Sequence, residues 1–312
     1  LNAADDTVLT GQAALAAGRH DFAEAVRLAR RAIAANPYSA PAHGVLADAR
    51  TQLGDLSGAA EAVERMLGLK PGVAAFARAS YAAELRGDVA KAREYLELAQ
   101  DDAYTPADLA YARYYLGELA LHTGDLAGAG DWYAKALQAY PAYTPAMAGQ
   151  ARVAALGGRT AEALEIYQRV VERLPLSQYL IEQGETRIKA GQSADWTLLK
   201  AQQKLLRAAG VKDDLTWAEF EADHGDPKAA VKHAKAEYAR NPNLVAADAL
   251  GWALFRAGKP REALPYAKKA ASTGWRNPLI GYHRAMIERA LGRSVRLDKS
   301  FDPSLPALAR FS

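Results

Sequence analysis

Nine glycines punctuate the chain at near-constant intervals: Gly18, Gly54, Gly87, Gly124, Gly158, Gly191, Gly225, Gly258 and Gly292. Their separations run from 33 to 37 residues, with a mean of 34.25. An interval of that size is one supersecondary unit, and a chain that keeps repeating it is built by stacking neighbours rather than by folding around one centre. In six units an alanine follows five residues after the glycine, at Ala59, Ala92, Ala129, Ala163, Ala230 and Ala263. Small residues also stand seven places before most of the glycines, at Ala47, Ser80, Gly117, Ala151, Gly184, Ala218, Gly251 and Ala285. Two helices joined by a short turn approach closely only where neither presents a long side chain. A glycine in the turn supplies the left-handed backbone that ends the first helix. Asp55, Asp88, Asp125 and Asp226 directly after it cap the second. Pro37, Pro71, Pro141, Pro175 and Pro242 close the unit at its other end, because proline cannot continue the hydrogen-bond ladder. Each unit reads as helix, tight turn, helix.

A period of this length with these small residues, turn glycines and terminal prolines resembles the tetratricopeptide repeat over about residues 6–292. The resemblance implies an all-α fold, a right-handed superhelix of about eight to nine helix-turn-helix units whose concave face is lined mainly by the first helices. A single solenoid is expected across 1–312, with residues 1–5 an extension, 6–292 the repeats and 293–312 a capping or docking segment. Two departures stand out. The 37-residue interval from Gly87 to Gly124 predicts a widened connection at AQDDAYTPAD, with Asp101 and Asp102 exposed. In the sixth unit Trp196 replaces the expected alanine and no proline follows Leu206, although TLLKAQQKLLRAA keeps an amphipathic pattern; a distorted unit is expected there. The tail carries Phe301, Leu305, Leu308 and Phe311 between Pro303, Pro306 and the terminus. Covering the open end of the solenoid is its expected role, and self-association through it is the rival.

Catalytic chemistry has no anchor in the sequence. The absence of cysteine removes thiolate nucleophiles and Cys-ligated metals, and there is no P-loop, dinucleotide fingerprint, HExxH, EF-hand or nucleophile elbow. His20, His43, His122, His224, His233 and His283 are dispersed over different units, with His20, His224, Asp223 and Asp226 expected as solvated turn residues. Ser80, Ser177 and Ser193 stand in no nucleophile motif, and Glu118, Glu185 and Glu219 fall in separate layers. No enzyme activity, cofactor or metal is expected. A net charge of +3, with the excess gathered after residue 275, gives no basic stripe for nucleic acid. No apolar run has the length of a membrane span. The start at Leu1 rather than Met implies an upstream segment, leaving the compartment open between cytoplasmic and extracytoplasmic. The alanine-rich, cysteine-free composition points to a bacterial source.

What remains is binding. With each turn glycine as position 15, position 9 of the resembling family points toward the concave surface; here that row reads Asp48, Tyr81, Glu118, Arg152, Glu185, Glu219, Trp252 and Met286. Tyr111, Tyr114, Arg256 and Tyr282 share the same helix faces at spacings of three and four. Tyrosine and tryptophan offer large contact area with few rotors to freeze, which makes Tyr111, Tyr114 and Trp252 the leading anchors. Tyr115, Trp132 and Trp217 read as packing residues. Many proteins of the resembling family clamp acidic C-termini with a Lys/Asn/Lys/Arg set over three repeats. Asp48, Tyr81 and Glu118 occupy the row where its asparagine is expected, so a carboxylate-clamp ligand is disfavoured. The expected function is a non-enzymatic scaffold that binds an extended peptide or partner helix in the groove, with a pitch-changing peptide sensor or a self-assembling subunit as alternatives.

Overall fold

Eight units of the repeat form both helices, and the buried residues of each second helix lie on one face. FAEAVRLARRAIAA shows why: Ala25, Leu28, Ala29 and Ala32 are buried at a spacing of three and four, while the arginines face out. The computed structural model describes residues 5–297 and 301–309; residues 1–4 of the expected extension and Phe311 lie outside the described residues. The first four pairs are α1 (Asp6–Gly18) with α2 (Phe22–Ala35), α3 (Ala40–Gln52) with α4 (Leu56–Leu69), α5 (Val73–Glu84) with α6 (Val89–Asp101), and α7 (Pro106–His122) with α8 (Leu126–Ala139). Then come α9 (Thr144–Leu156) with α10 (Thr160–Arg173), α11 (Ser177–Lys189) with α12 (Thr197–Ala208), α13 (Asp214–His224) with α14 (Pro227–Arg240), and α15 (Leu244–Arg256) with α16 (Pro260–Ala270). A ninth first helix, α17 (Pro278–Ala290), is followed by a 3-10 turn at Pro306–Ala309. Among the described residues the chain is all-α, a solenoid of eight complete pairs and one further helix.

The turn chemistry follows the sequence with two informative exceptions. Asp55, Asp88, Asp125 and Asp226 all accept a backbone N–H of the first turn of the helix that follows. Seven of the nine periodic glycines are left-handed, but Gly18 and Gly225 are not. In the first unit the left-handed residue is His20, with φ 57°. Counting from His20 puts Ala25 five residues on and Gly54 thirty-four on, so this unit is regular once its turn is placed correctly. Gly225 has a negative φ, −138°, and it is Asp226 after it that Pro227 restricts to an extended conformation.

The extra residues of the long interval enter a helix instead of widening a connection. Helix α7 has seventeen residues, whereas α9 has thirteen. Thr105 caps it, accepting from the Asp108 N–H and donating its hydroxyl to the Asp108 carboxylate, and Pro106 takes the first helical position, where no N–H is needed. Asp101 ends α6, exposed as expected, and Asp102 is half-buried.

The sixth unit is distorted at Trp196. A Cβ on Gly184 would lie 2.1 Å from the Trp196 ring, so the indole fills the small-residue notch that an alanine helix occupies elsewhere. Helix α12 therefore starts six residues after Gly191 instead of two, and Leu199 is its one buried residue. Leu205 is left 71% exposed.

Curvature then brings distant units together. Lys212 pairs with Asp21, Asn243 donates to the Gln52 carbonyl, and Trp275 donates to Glu84; all three contacts span 191 residues. Divided by the mean period of 34.25, that is about 5.6 units for one superhelical turn. The tight turns of the early units sit on the inter-repeat loops of the late ones. A Cβ on Gly54 would lie 2.8 Å from the Pro242 carbonyl oxygen, and one on Gly87 would lie 2.5 Å from that of Gly274. Glycine serves twice here, for a φ near 78° and for the approach of another backbone. Leu85, Leu244, Ala247, Trp275 and Ile280 form the apolar core of this contact. Early and late units therefore meet edge to edge.

Candidate functional site

The expected inner row divides into an open stretch, a buried seam and a covered stretch. The open stretch belongs to α3–α9. Arg78 reaches back one unit to grip Asp48 through both carboxylate oxygens, at 2.9 and 2.7 Å. Beside them stand Tyr111 and Tyr115, ring centroids 4.7 Å apart, and Tyr114 lies 5.1 Å from Tyr115 and 5.9 Å from Tyr143. The roles within this cluster differ from expectation. Tyr114 is 7% exposed and wedged against Tyr133, whereas Tyr115, expected in the core, is 39% exposed. Adjacent helical residues are 100° apart, so a small rotation of α7 decides which of two neighbouring tyrosines faces out. Burial raises the Tyr111 phenol above its ordinary value, Arg78 partly offsetting it, and pushes Tyr179 nearby up to about 12; both are neutral donors at physiological pH. Tyr81 stands apart, half-buried at the contact between superhelical turns.

The seam is Arg152. Its guanidinium, 1% exposed, contacts Glu118 at 2.9 Å and Glu182 at 3.1 Å, one partner in each neighbouring unit. Tyr133 donates to Glu118, while Tyr167 and Gln178 donate to Glu182. Burial raises the Glu182 carboxyl, and Arg152 with the two hydrogen-bond donors holds it back only in part. Arg152 is thus a clamp across three layers instead of a free contact residue. Glu182 carried no signal in the inner row, but it lies one helical turn from Glu185, where i and i+3 share a face.

The covered stretch runs from α9 to α17 and already holds a segment, the chain's own residues 301–309, which ends in the 3-10 turn. Glu185 is fully buried; its carboxylate accepts from the backbone N–H of Ala307 at 2.8 Å and is hydrogen-bonded to His224 at 2.8 Å. His224 is therefore no solvated turn residue: Trp196 and Phe220 press on its ring and Glu185 holds its Nε2. Leu305 and Leu308 join Ala151, Ala154, Ala155 and Tyr167 in one apolar cluster, and Ala307 joins Leu180, Ile181 and Trp217 in another. Lys189 pairs with Asp302, whose carboxyl burial alone would raise; Lys189 and Ser304 outweigh that and hold it below the usual range. Phe301 lies on Tyr282, centroids 4.7 Å apart.

Trp252, Arg256 and Tyr282 come together as one aromatic wall. Trp252 donates to Asp223 at 2.8 Å and stacks on His283 at 3.9 Å, and Arg256 lies 5.7 Å over its ring. His283 is held by Asp248 at 2.7 Å. Met286 packs half-buried behind this wall, and Glu219 is half-buried on α13. Among the described residues no group of three or more His, Asp or Glu is placed to hold a metal ion, and no helix is long and apolar enough to cross a membrane.

Two models of the tetratricopeptide repeat match the sequence, one over residues 14–83 and the other over 77–144. Together they span residues 14–144, and helix pairs of the same kind continue beyond them to α17. Over that matched stretch the repeats are tetratricopeptide repeats. Among solved structures, the Cut9–Hcn1 hetero-tetramer of APC/C aligns with a TM-score of 0.53 at 14% identity, covering 86% of this repeat protein and 53% of that chain. PilF of Pseudomonas aeruginosa aligns at 0.48 and 14% identity, over 81% of this chain and 97% of that one. A tetratricopeptide repeat protein from Parabacteroides merdae aligns at 0.45 and 15%, over 91% and 98%. At such identities the likeness is one of fold. No curated protein sequence matches this tetratricopeptide-repeat chain.

Proposed function

We propose that this chain is a non-enzymatic interaction scaffold that holds an extended partner segment against its inner helix row. One observation carries the reading. The inner face already holds a peptide segment, residues 301–309, on Glu185 and Tyr282, two positions of the expected groove. A wall that accepts a backbone N–H on a buried carboxylate and an aromatic ring on a tyrosine has the chemistry of peptide recognition. The open stretch around Tyr111, Tyr115 and the Asp48–Arg78 pair offers the same kind of wall without that segment. Its aromatic edges and mixed charge suit a segment with apolar side chains and both signs of charge, not an acidic C-terminus.

The contacts between superhelical turns hold the pitch, which weighs against pitch change as a signal. Burial of Leu305 and Leu308 likewise weighs against the tail as a self-association surface. The test is quantitative. For a co-purifying partner, titration against the full chain and its Tyr111→Ala and Tyr115→Ala variants is expected to show about ten-fold weaker binding in at least one. Unchanged affinity in both removes the open stretch from the binding surface.

A further inference from the structure

We infer that the covered stretch is a second, selective peptide site, and that residues 301–309 are its built-in competitor. Its ligand is a segment of another protein with the pattern of the tail, an aromatic residue followed four places on by Leu-Pro-x-Leu in a single 3-10 turn. The inference rests on the scaffold reading and names the ligand chemistry for this half of the groove.

Three features define what the site selects. The first is a donor requirement: Glu185 is fully buried and takes the Ala307 N–H, so the residue after the proline must offer a free amide. The second is shape: Leu305 and Leu308 enter a surface made of Ala151, Ala154 and Ala155, whose small side chains leave room for branched ones. The third is the aromatic seat, where Phe301 lies on Tyr282 and Tyr282 lies 6.0 Å from Trp252.

The tail is held as a ligand is held. It meets α9, α11 and α17, helices of three different units, while a cap would cover the last unit alone. Among the described residues its polar contacts with the groove include the backbone hydrogen bond to Glu185 and the contacts of Lys189 with Asp302 and Ser304. Tethering gives such a segment an effective concentration in the millimolar range, so a modest intrinsic affinity keeps it seated, and a partner binds at a discount set by that occupancy. The tether also favours the tail's own groove over that of a second copy at ordinary concentrations.

The experiment uses the full chain and a fluorescein-labelled peptide FDPSLPALA, which copies residues 301–309. Fluorescence anisotropy is measured with the unaltered chain and with the full-length Leu305→Asp/Leu308→Asp variant, whose tail cannot reseat. The variant is expected to bind the peptide about ten-fold or more tightly than the unaltered chain, and a peptide carrying the same two substitutions is expected not to bind. Equal binding by both chains, or saturable binding by neither, overturns the inference. Because the variant carries a folding risk, hydrogen exchange on the unaltered chain gives an independent reading. The Ala307 amide is expected to exchange much faster than interior amides of α9 and α11, and faster still with excess peptide. Exchange of Ala307 only through global unfolding overturns the inference and makes the tail a structural element. A dimer of the unaltered chain that grows with concentration and dissolves on adding peptide overturns it too, assigning the site to a second copy. Any of these failures, with the Tyr111 and Tyr115 variants still weakening a partner, leaves the scaffold reading standing.

Discussion

The inner walls of α3–α9 and of α11–α17 occupy the same positions of the same repeat and differ in what lies on them. The first presents Tyr115 and the Asp48–Arg78 pair; the second is covered by residues 301–309, with which its buried Glu185 makes a hydrogen bond. The difference teaches that a position in a repeat sets a direction and the superhelix sets the exposure. Arg152 divides the two stretches. It ties Glu118 on the open side to Glu182 on the covered side, so the halves share one electrostatic joint.

The largest expected effect comes from breaking that joint. Arg152→Met leaves two carboxylates in a dry site without their cation, and urea unfolding is expected to show a loss of about 3–5 kcal/mol. A loss below about 1 kcal/mol removes the joint from the account. Next comes the contact between superhelical turns. Gly191→Ala meets nothing within 4 Å and suffers only the left-handed backbone, about 1 kcal/mol. Gly87→Ala has the same φ and a carbonyl oxygen at 2.5 Å, and is expected to lose about 1–3 kcal/mol more. Equal effects at the two glycines count against turn-on-turn packing as a source of stability.

A smaller effect separates the halves by pH. The Asp302 carboxyl lies below its usual value in the folded chain, so the stabilisation it gives the seated tail is fully present above the unfolded value, 3.8. It is lost as pH falls through the lower folded value. Exchange protection of the Ala307 amide, corrected for intrinsic rate, is expected to stay level from pH 7 to about 5 and to fall below about 4; Asp302→Asn is expected to flatten that fall. The smallest change is Tyr115→Ala, expected to alter stability by less than about 1 kcal/mol because its ring faces the open groove. A larger loss makes Tyr115 a structural residue and closes the contrast between the halves.

Legibility in the sequence tracked the distance over which each feature is decided. Helix pairs, aspartate caps and the disturbance at Trp196 are set within a few residues, and the spacing predicts them. His20 escaped because a glycine two residues earlier took its place in the count, although Ala25 five residues later carries the regular register. The long interval reads as a loop in sequence because the cap formed by Thr105, Pro106 and Asp108, which lengthens α7, looks the same as turn chemistry. Which of Tyr114 and Tyr115 faces out depends on helix rotation, which an isolated repeat pattern leaves undetermined. The path of residues 301–309 and the meeting of early and late units depend on a small rotation added at every unit, and no single unit encodes their sum. Arg78, Glu182 and Lys189 carry no local signal for this reason, since each gains its partner from another unit or from the tail.

A solenoid whose units touch only their neighbours can gain or lose one without penalty beyond the new junction. This chain cannot. Inserting or deleting a single unit between Gly87 and Pro242 would leave the late loops facing the wrong early turns, so Asn243 would lose Gln52 and Trp275 would lose Glu84 together. Its length is therefore counted, and variation in copy number between the two ends is confined to changes that restore the same offset.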